Sequence, residues 1–244
     1  MSKIVSRTLD FFELFAAEKK PLSLSEISRL LELAPSSCHD VLVELKERGY
    51  VYELKPRGGY YPTLRLFEIA KSVAENDPVV SRASVLLREA RDRIGESVLL
   101  AKATGLHASY LLAFDPASPL AVRRSVGDTI FGLHLTSAGK ALLGSLTEDE
   151  LSAFLETAVL NRVTPMTITS KKKLRKEIEL GKKRGWFVNR EESQIGVTTI
   201  SVSFYWLSTL FIVSIAGPSQ RVEPRLEEFS EILLRIGRQL ATSA

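Results

Sequence analysis

A mixed α/β chain in two parts is what the 244-residue sequence predicts, and three observations carry that expectation. Helical periodicity fills residues 1–50 and closes on a short β pair, helix-like and strand-like runs alternate beyond residue 78, and the charge-free run 193–220 has a period of two. An apolar fraction of 45% beside 25% charged residues is that of an ordinary globular protein able to bury a core.

The first helix is expected near residues 5–18, with Leu9, Phe12 and Phe15 or Ala16 marking its buried face. Its basic start resembles a leader, but Asp10 and Glu13 interrupt the apolar part and no small-residue cleavage pattern follows, so a signal peptide is not expected. A second helix is expected from about 24 to 32. A third starts at Pro35, whose missing N–H costs nothing in a first turn. Cys38, Val41, Leu42 and Leu45 then fall at i, i+3, i+4 and i+7, one apolar face. The stretch GYVYELKPRGGYYPT reads as a β pair with Gly58 and Gly59 at its tip. Two helices joined by a short turn and followed by a hairpin make a winged helix-turn-helix, which reads the DNA major groove with the start of its second helix.

Residues 36–40, SSCHD, hold the side chains of a hydrolytic triad, yet successive helical positions diverge and cannot meet within hydrogen-bond reach. No catalytic residue is nominated. A single cysteine excludes an intrachain disulfide framework and suits a reducing cytoplasm. His39, His107 and His134 show no metal-ligand spacing, so neither a metal nor a cofactor is expected.

Residues 64–77 continue as a linker helix with Leu66, Ile69, Ala70 and Val73 on one side, and Asn76, Asp77 and Pro78 punctuate it. Its apolar face is the expected dimer seam. Beyond it, helices near 79–94, 137–145, 147–156, 171–183 and 223–241 alternate with strands near 97–103, 107–114, 120–126 and 186–190 and with a hairpin turning at 206–208. The hairpin run approaches the length of a membrane span. However, Ile200, Val202 and Phe204 alternate with Thr199, Ser201 and Ser203, a half-buried strand rather than a lipid-embedded helix. The polar faces of its two strands, Thr199 with Ser201 and Ser214 with Ala216, form a small lining suited to a pocket. Thr136 reads as an N-cap, so that the N–H groups of Ser137, Ala138 and Gly139 could point at a carboxylate, the alternative being a capped helix with a purely structural role. The same segment is not a phosphate-binding loop, since His134 and Ala141 stand where Gly and Ser or Thr are needed.

Charge offers little guidance. Residues 1–64 hold as many acidic as basic side chains, and the excess lies in SKKKLRKEIELGKKRG, which reads as the solvated face of a helix.

Several stretches taken together resemble the IclR family of bacterial and archaeal transcription regulators. LAPSSCHDVLVELKERGYV is similar to the family's recognition helix, with its paired hydroxyl residues, His and a leucine-rich helix ending in Gly-Tyr. GLHLTSAGKALLGSL is similar to its effector-domain motif, with Gly139-Lys140-Ala141 intact, and KKRGWFVNREESQIGVTTISVSF followed by VSIAGP has the spacing of a later segment and closing strand. The resemblance implies a winged helix-turn-helix DNA-binding domain at 1–63, a linker helix at 64–77 and a GAF-like effector-binding domain at 78–244. It also implies a homodimer or a dimer of dimers, a homotetramer, on double-stranded operator DNA.

Ser36, Ser37, His39 and Asp40 are the expected base-reading positions, and Lys55 and Arg57 the wing anchors. Asp40 stands where the family often has Arg. Ser137, Ala138, Asn189, Thr199, Ser214 and Ala216, with Phe131 as an apolar wall, are the expected contacts to a small organic or aromatic acid. Asn189, Thr199 and Ala216 replace the Asp, Cys and Ser of family members that bind small acids. The competing readings are an enzyme on the C-terminal part, for which His134 near Thr136 and Lys140 is the sole constellation, and a membrane-attached sensor.

Overall fold

Phe11 and Phe15, one turn apart on α1 (Lys3–Glu18), anchor the first of two units, residues 1–75 and 76–244, into which the computed structural model divides. The structure describes residues 3–55, 58–116, 118, 119 and 121–242. In α2 (Leu24–Leu30), Ser23 and Glu26 form a reciprocal capping box. Pro35 opens α3 (Pro35–Glu47), and Cys38, Leu42 and Leu45 are buried with Ile27, Leu22 and Val51 around the two phenylalanines. Burial pushes the Cys38 thiol up, as suits a small core side chain rather than a nucleophile. Strands β1 (Val51–Glu53) and β2 (Tyr60–Pro62) pair antiparallel as the wing, with Leu54 N donating to Gly59 O across its neck. α4 (Arg65–Glu75) ends the unit.

The buried face of α1 matches the expected one at Phe15 and, partly buried, at Phe12, but not at the other positions. Phe11 and Phe15 face inward, whereas Leu9 and Ala16 are exposed. Two apolar stripes share this helix, and periodicity alone does not say which one the rest of the unit covers.

The second unit is a five-stranded antiparallel sheet ordered β4-β3-β7-β6-β5, with helices on both faces. Asp77 caps α5 (Pro78–Ile94) through Val79 N and Val80 N, and Gly95 closes it in the left-handed region at φ 74°. There follow β3 (Ser97–Thr104), β4 (His107–Phe114), α6 (Ser137–Ser145), α7 (Glu148–Thr157), α8 (Lys171–Arg184), β5 (Phe187–Arg190), β6 (Val197–Trp206) and β7 (Thr209–Pro218). A short turn of helix, α9 (Ser219–Val222), leads to α10 (Leu226–Ala241). The alternation in β6 and β7 divides two cores. Ile200, Val202, Val213 and Ile215 pack under α5 and α10, while Ile212 and Ala216 face the core under α6 and α8. No helix among the described residues is long and apolar enough to cross a membrane.

The strand expected near 120–126 does not form among the described residues. Residues 121–125 have no regular structure, and the segment turns at Gly127 with φ 91°. Three consecutive polar residues, Arg123, Arg124 and Ser125, break the alternation that a strand needs. The chain is held to β4 as a strap instead. Tyr110 N donates to Asp128 O, Gly127 N to Tyr110 O and Ile130 N to Ala108 O, with an isolated bridge between Ser109 and Thr129.

Candidate functional site

The start of α3 presents Ser36, His39 and Asp40 to solvent, with Ser37 half-buried. His39 Nδ1 lies 3.9 Å from Asp40 Oδ1, and both side chains are largely exposed, so they remain available to a groove. Lys55 is exposed at the wing tip, where Gly58 N donates to Lys55 O. Arg57 lies outside the described residues. Side chains on a helix start and on an adjacent hairpin are the two parts of a winged-helix DNA interface.

In the second unit, six of the seven expected effector contacts line one cavity: Ser137, Ala138, Asn189, Thr199, Ser214 and Ala216. The register brings them together, since Thr199 pairs with Ala216, Ser201 with Ser214 and Asn189 with Thr199. The cavity is about 20 Å³, space for roughly one water. Its floor is a chain of hydroxyls: Ser137 Oγ lies 2.6 Å from Thr199 Oγ1 and 2.7 Å from Ser201 Oγ, and Ser201 Oγ lies 2.7 Å from Ser214 Oγ. Each hydroxyl donates once and accepts twice, so the chain can reverse its direction to suit a ligand that donates or accepts.

Three expectations change in detail. Phe131 is 78% exposed and is not part of the lining, because the chain turns at Gly132 (φ 62°), where Leu135 N donates to Gly132 O. Gly139 N is taken by the capping Thr136 Oγ1 at 2.9 Å, leaving the N–H groups of Ser137 and Ala138 as the ones at the cavity. Asn189, fully buried, accepts from Glu192 N and donates to Ser193 Oγ, so it braces the turn after β5 as well as reaching the cavity.

Beneath the cavity, α6 buries Lys140 completely. Its Nζ donates to Val188 O at 3.0 Å and to Glu192 Oε1. Burial pushes the Lys140 ammonium down and the Glu192 carboxyl up, with their mutual attraction opposing both shifts. Glu192 Oε2 is buried with no hydrogen-bond partner. Thr164 and Thr167 donate to Glu192 O, fixing the same turn. Gly139 is required here because a Cβ would lie 2.4 Å from Leu133 O. The glycine and lysine of the Gly139-Lys140-Ala141 core are thus explained by close packing and by a buried ion pair.

The enzyme constellation does not assemble. His134 Nε2 pairs with Asn161 O, while Lys140 is committed to Val188 O and Glu192. Sequence reasoning missed Leu99, Tyr110, Val122, Arg124 and Ser193 in the lining. The alternation of HASYLLAF would have pointed Tyr110 inward with Ala108, but nothing local brings Val122 and Arg124 to this site, because they arrive on an irregular strap.

A winged-helix unit followed by an antiparallel α/β unit with a small polar cavity defines a class: DNA-binding proteins with a second, separate α/β domain. The comparisons fix the family. Residues 4–55 match the IclR helix-turn-helix domain, and residues 71–242 match the C-terminal domain of bacterial IclR transcriptional regulators. The chain belongs to the IclR family and is a DNA-binding transcriptional regulator of that family. It is 29% identical over 224 residues to the HTH-type transcriptional repressor AllR of Escherichia coli K12, covering 91% of this chain and 82% of the repressor. The Thermotoga maritima IclR structure superposes with a TM-score of 0.68 at 25% identity, covering 99% of this chain and 98% of that one. An IclR homolog from Microbacterium hydrocarbonoxydans, solved in complex with 4-hydroxybenzoate, has the same fold, with a TM-score of 0.75 at 23% identity over 99% of this chain and all of that one.

Proposed function

We propose that the α/β unit binds a small organic or aromatic acid and that this binding modulates operator occupancy by the winged-helix unit. In this reading the working division is a DNA-binding domain at 1–63, a linker helix at 64–77 and an effector-binding domain at 78–244, and the protein acts in the cytoplasm without catalysing a reaction. The observation that carries it is the convergence of Ser137, Ala138, Thr199, Ser214 and Ala216 on one enclosed cavity at the N-terminus of α6. Unpaired N–H groups and the helix dipole there favour an anion by about 0.3–2 kcal/mol. The hydroxyl chain supplies neutral polar contacts. At about 20 Å³ the cavity admits an organic acid only if its walls separate, and such movement links ligand binding to conformation.

On the DNA side, Ser36, Ser37, His39 and Asp40 are assigned to the major groove and Lys55 and Arg57 to the backbone at the wing. A neutral winged helix makes few phosphate contacts alone, so two copies are needed for useful affinity. Exposed Leu66, Phe67, Ile69 and Val73 on α4 are the seam proposed for a homodimer, from which a dimer of dimers would be built. The test is a gel shift with DNA upstream of the protein's own gene, titrated with small acids. Ala216→Val, which fills the cavity, should keep DNA binding and lose the response to acid. An acid response unchanged in that variant would reject the cavity as the effector site.

A further inference from the structure

Arg124 is the one charged side chain among the described residues that line the cavity. It sits on the strap opposite α6, beside buried Val122, and its Nη1 donates to Arg123 O at 2.9 Å. It lies beside Tyr110, the buried β4 side chain that completes this wall; burial pushes the Tyr110 hydroxyl up, and the charge of Arg124 opposes that rise. Both neighbours are neutral, and among the described residues no carboxylate pairs with the guanidinium. The neighbouring acids are engaged elsewhere: Asp128 Oδ2 accepts from Ser125 N, and Asp115 lies 3.8 Å from Arg123. Exposed at the cavity rim and, among the described residues, in no ion pair within 4 Å, the guanidinium is able to grip a carboxylate through two parallel N–H donors.

The strap is also the wall best able to give way. Residues 121–125, which include Arg124, have no regular structure, the backbone bonds that hold the strap to β4 fall at 127–130, and Val126 at the turn is exposed. The opposite walls are a helix and the central strands of the sheet. A ligand larger than water therefore enters by moving the strap, which carries Arg124 with it.

We propose that Arg124 is the specificity-determining residue that selects acids over neutral compounds, closing over the ligand with the strap. This rests on the reading of the cavity as the effector site. Tyr110, beside Arg124 in the same wall, is placed to donate its own proton to the incoming carboxylate.

The test is calorimetry on the full chain with 4-hydroxybenzoate, benzoate and short aliphatic mono- and dicarboxylates, each beside its primary amide. The wild type should bind at least one acid more tightly than its amide. Arg124→Gln should weaken that acid by about tenfold or more, the size of a lost charge-assisted contact, and leave the amide unchanged, with Arg124→Lys in between. If Arg124→Gln binds the acid like the wild type while Ala216→Val loses it, the role of Arg124 is overturned and the cavity stands. Equal losses for acid and amide would also overturn it, since they mark a residue that only supports the strap. If the wild type binds only amides, or nothing in the panel, the acid-binding reading and the proposal fall together.

Discussion

Replacing Lys140 with methionine should be far more damaging than the conservation of its volume suggests. The side chain is fully enclosed and reaches Val188 O and Glu192 Oε1, and Glu192 Oε2 already lacks a partner. The variant leaves a buried carboxylate with no counter-charge, and breaking such a pair from one side costs about 3–5 kcal/mol. For a unit of this size each kcal/mol moves the melting temperature by about 2–4 °C, so a fall of roughly 6–20 °C is expected at pH 7. The pH dependence follows from Glu192. Burial already holds its carboxyl above the ordinary value of 4.5, and losing Lys140 raises it further. A folded pKa above the unfolded one contributes stability below pH 4.5 that is lost as pH rises through the folded value. The gap between wild type and variant should therefore widen from pH 5 to pH 7. Lys140→Met with Glu192→Leu removes both charges and should recover most of the loss. Thermal melts of the three proteins at both pH values decide it. A loss at pH 7 that is independent of pH, or a double variant no better than the single one, would refute the account of a buried charge.

Gly181 and Gly144 both abut Phe187, where an added Cβ would lie 2.3 and 2.2 Å from ring atoms, so Gly181→Ala should destabilise by about 1–3 kcal/mol in denaturant titration. Gly139→Ala should cost more, because the obstacle is the Leu133 backbone rather than a side chain that can turn aside. Phe67, 64% exposed on α4, lies at the seam proposed for a dimer, so Phe67→Glu should lower the mass seen by light scattering and make the melting temperature independent of protein concentration. At the wing, Lys55→Ala should weaken binding to all sequences and lower the salt slope by about one unit, whereas His39→Ala should reduce discrimination between operator and random DNA.

Much of this architecture is legible in the sequence because it rests on period and punctuation. The face Cys38, Leu42 and Leu45, the Asp77-Pro78 helix start and the two-residue alternation of β6 and β7 are local signals, and the structure places each as its pattern implies. The same alternation put Thr199, Ser214 and Ala216 on the cavity side. What escaped depends on the meeting of distant segments. Leu9 belongs to a second apolar stripe that the unit leaves exposed. The polar run 123–125 turns an expected strand into a strap, and that strap, not Phe131, supplies the outer wall. The ion pair of Lys140 and Glu192 joins residues 52 positions apart, and no pattern on either segment announces the other.

The hydroxyl floor of the cavity and the apolar core beneath α5 and α10 are opposite faces of the same two strands. An insertion or deletion of one residue within β6 or β7 would exchange the two faces beyond that point, driving Ser201 or Ser214 into the oily layer and Val202 or Val213 into the pocket. Descendants of this chain can therefore remodel the cavity only by replacing side chains in place, while length variation is confined to the connections, including the strap. On the proposed reading of the cavity, lineages should carry a change of effector as point differences at 199, 214 and 216 on strands of constant length, beside a strap free to lengthen or shorten.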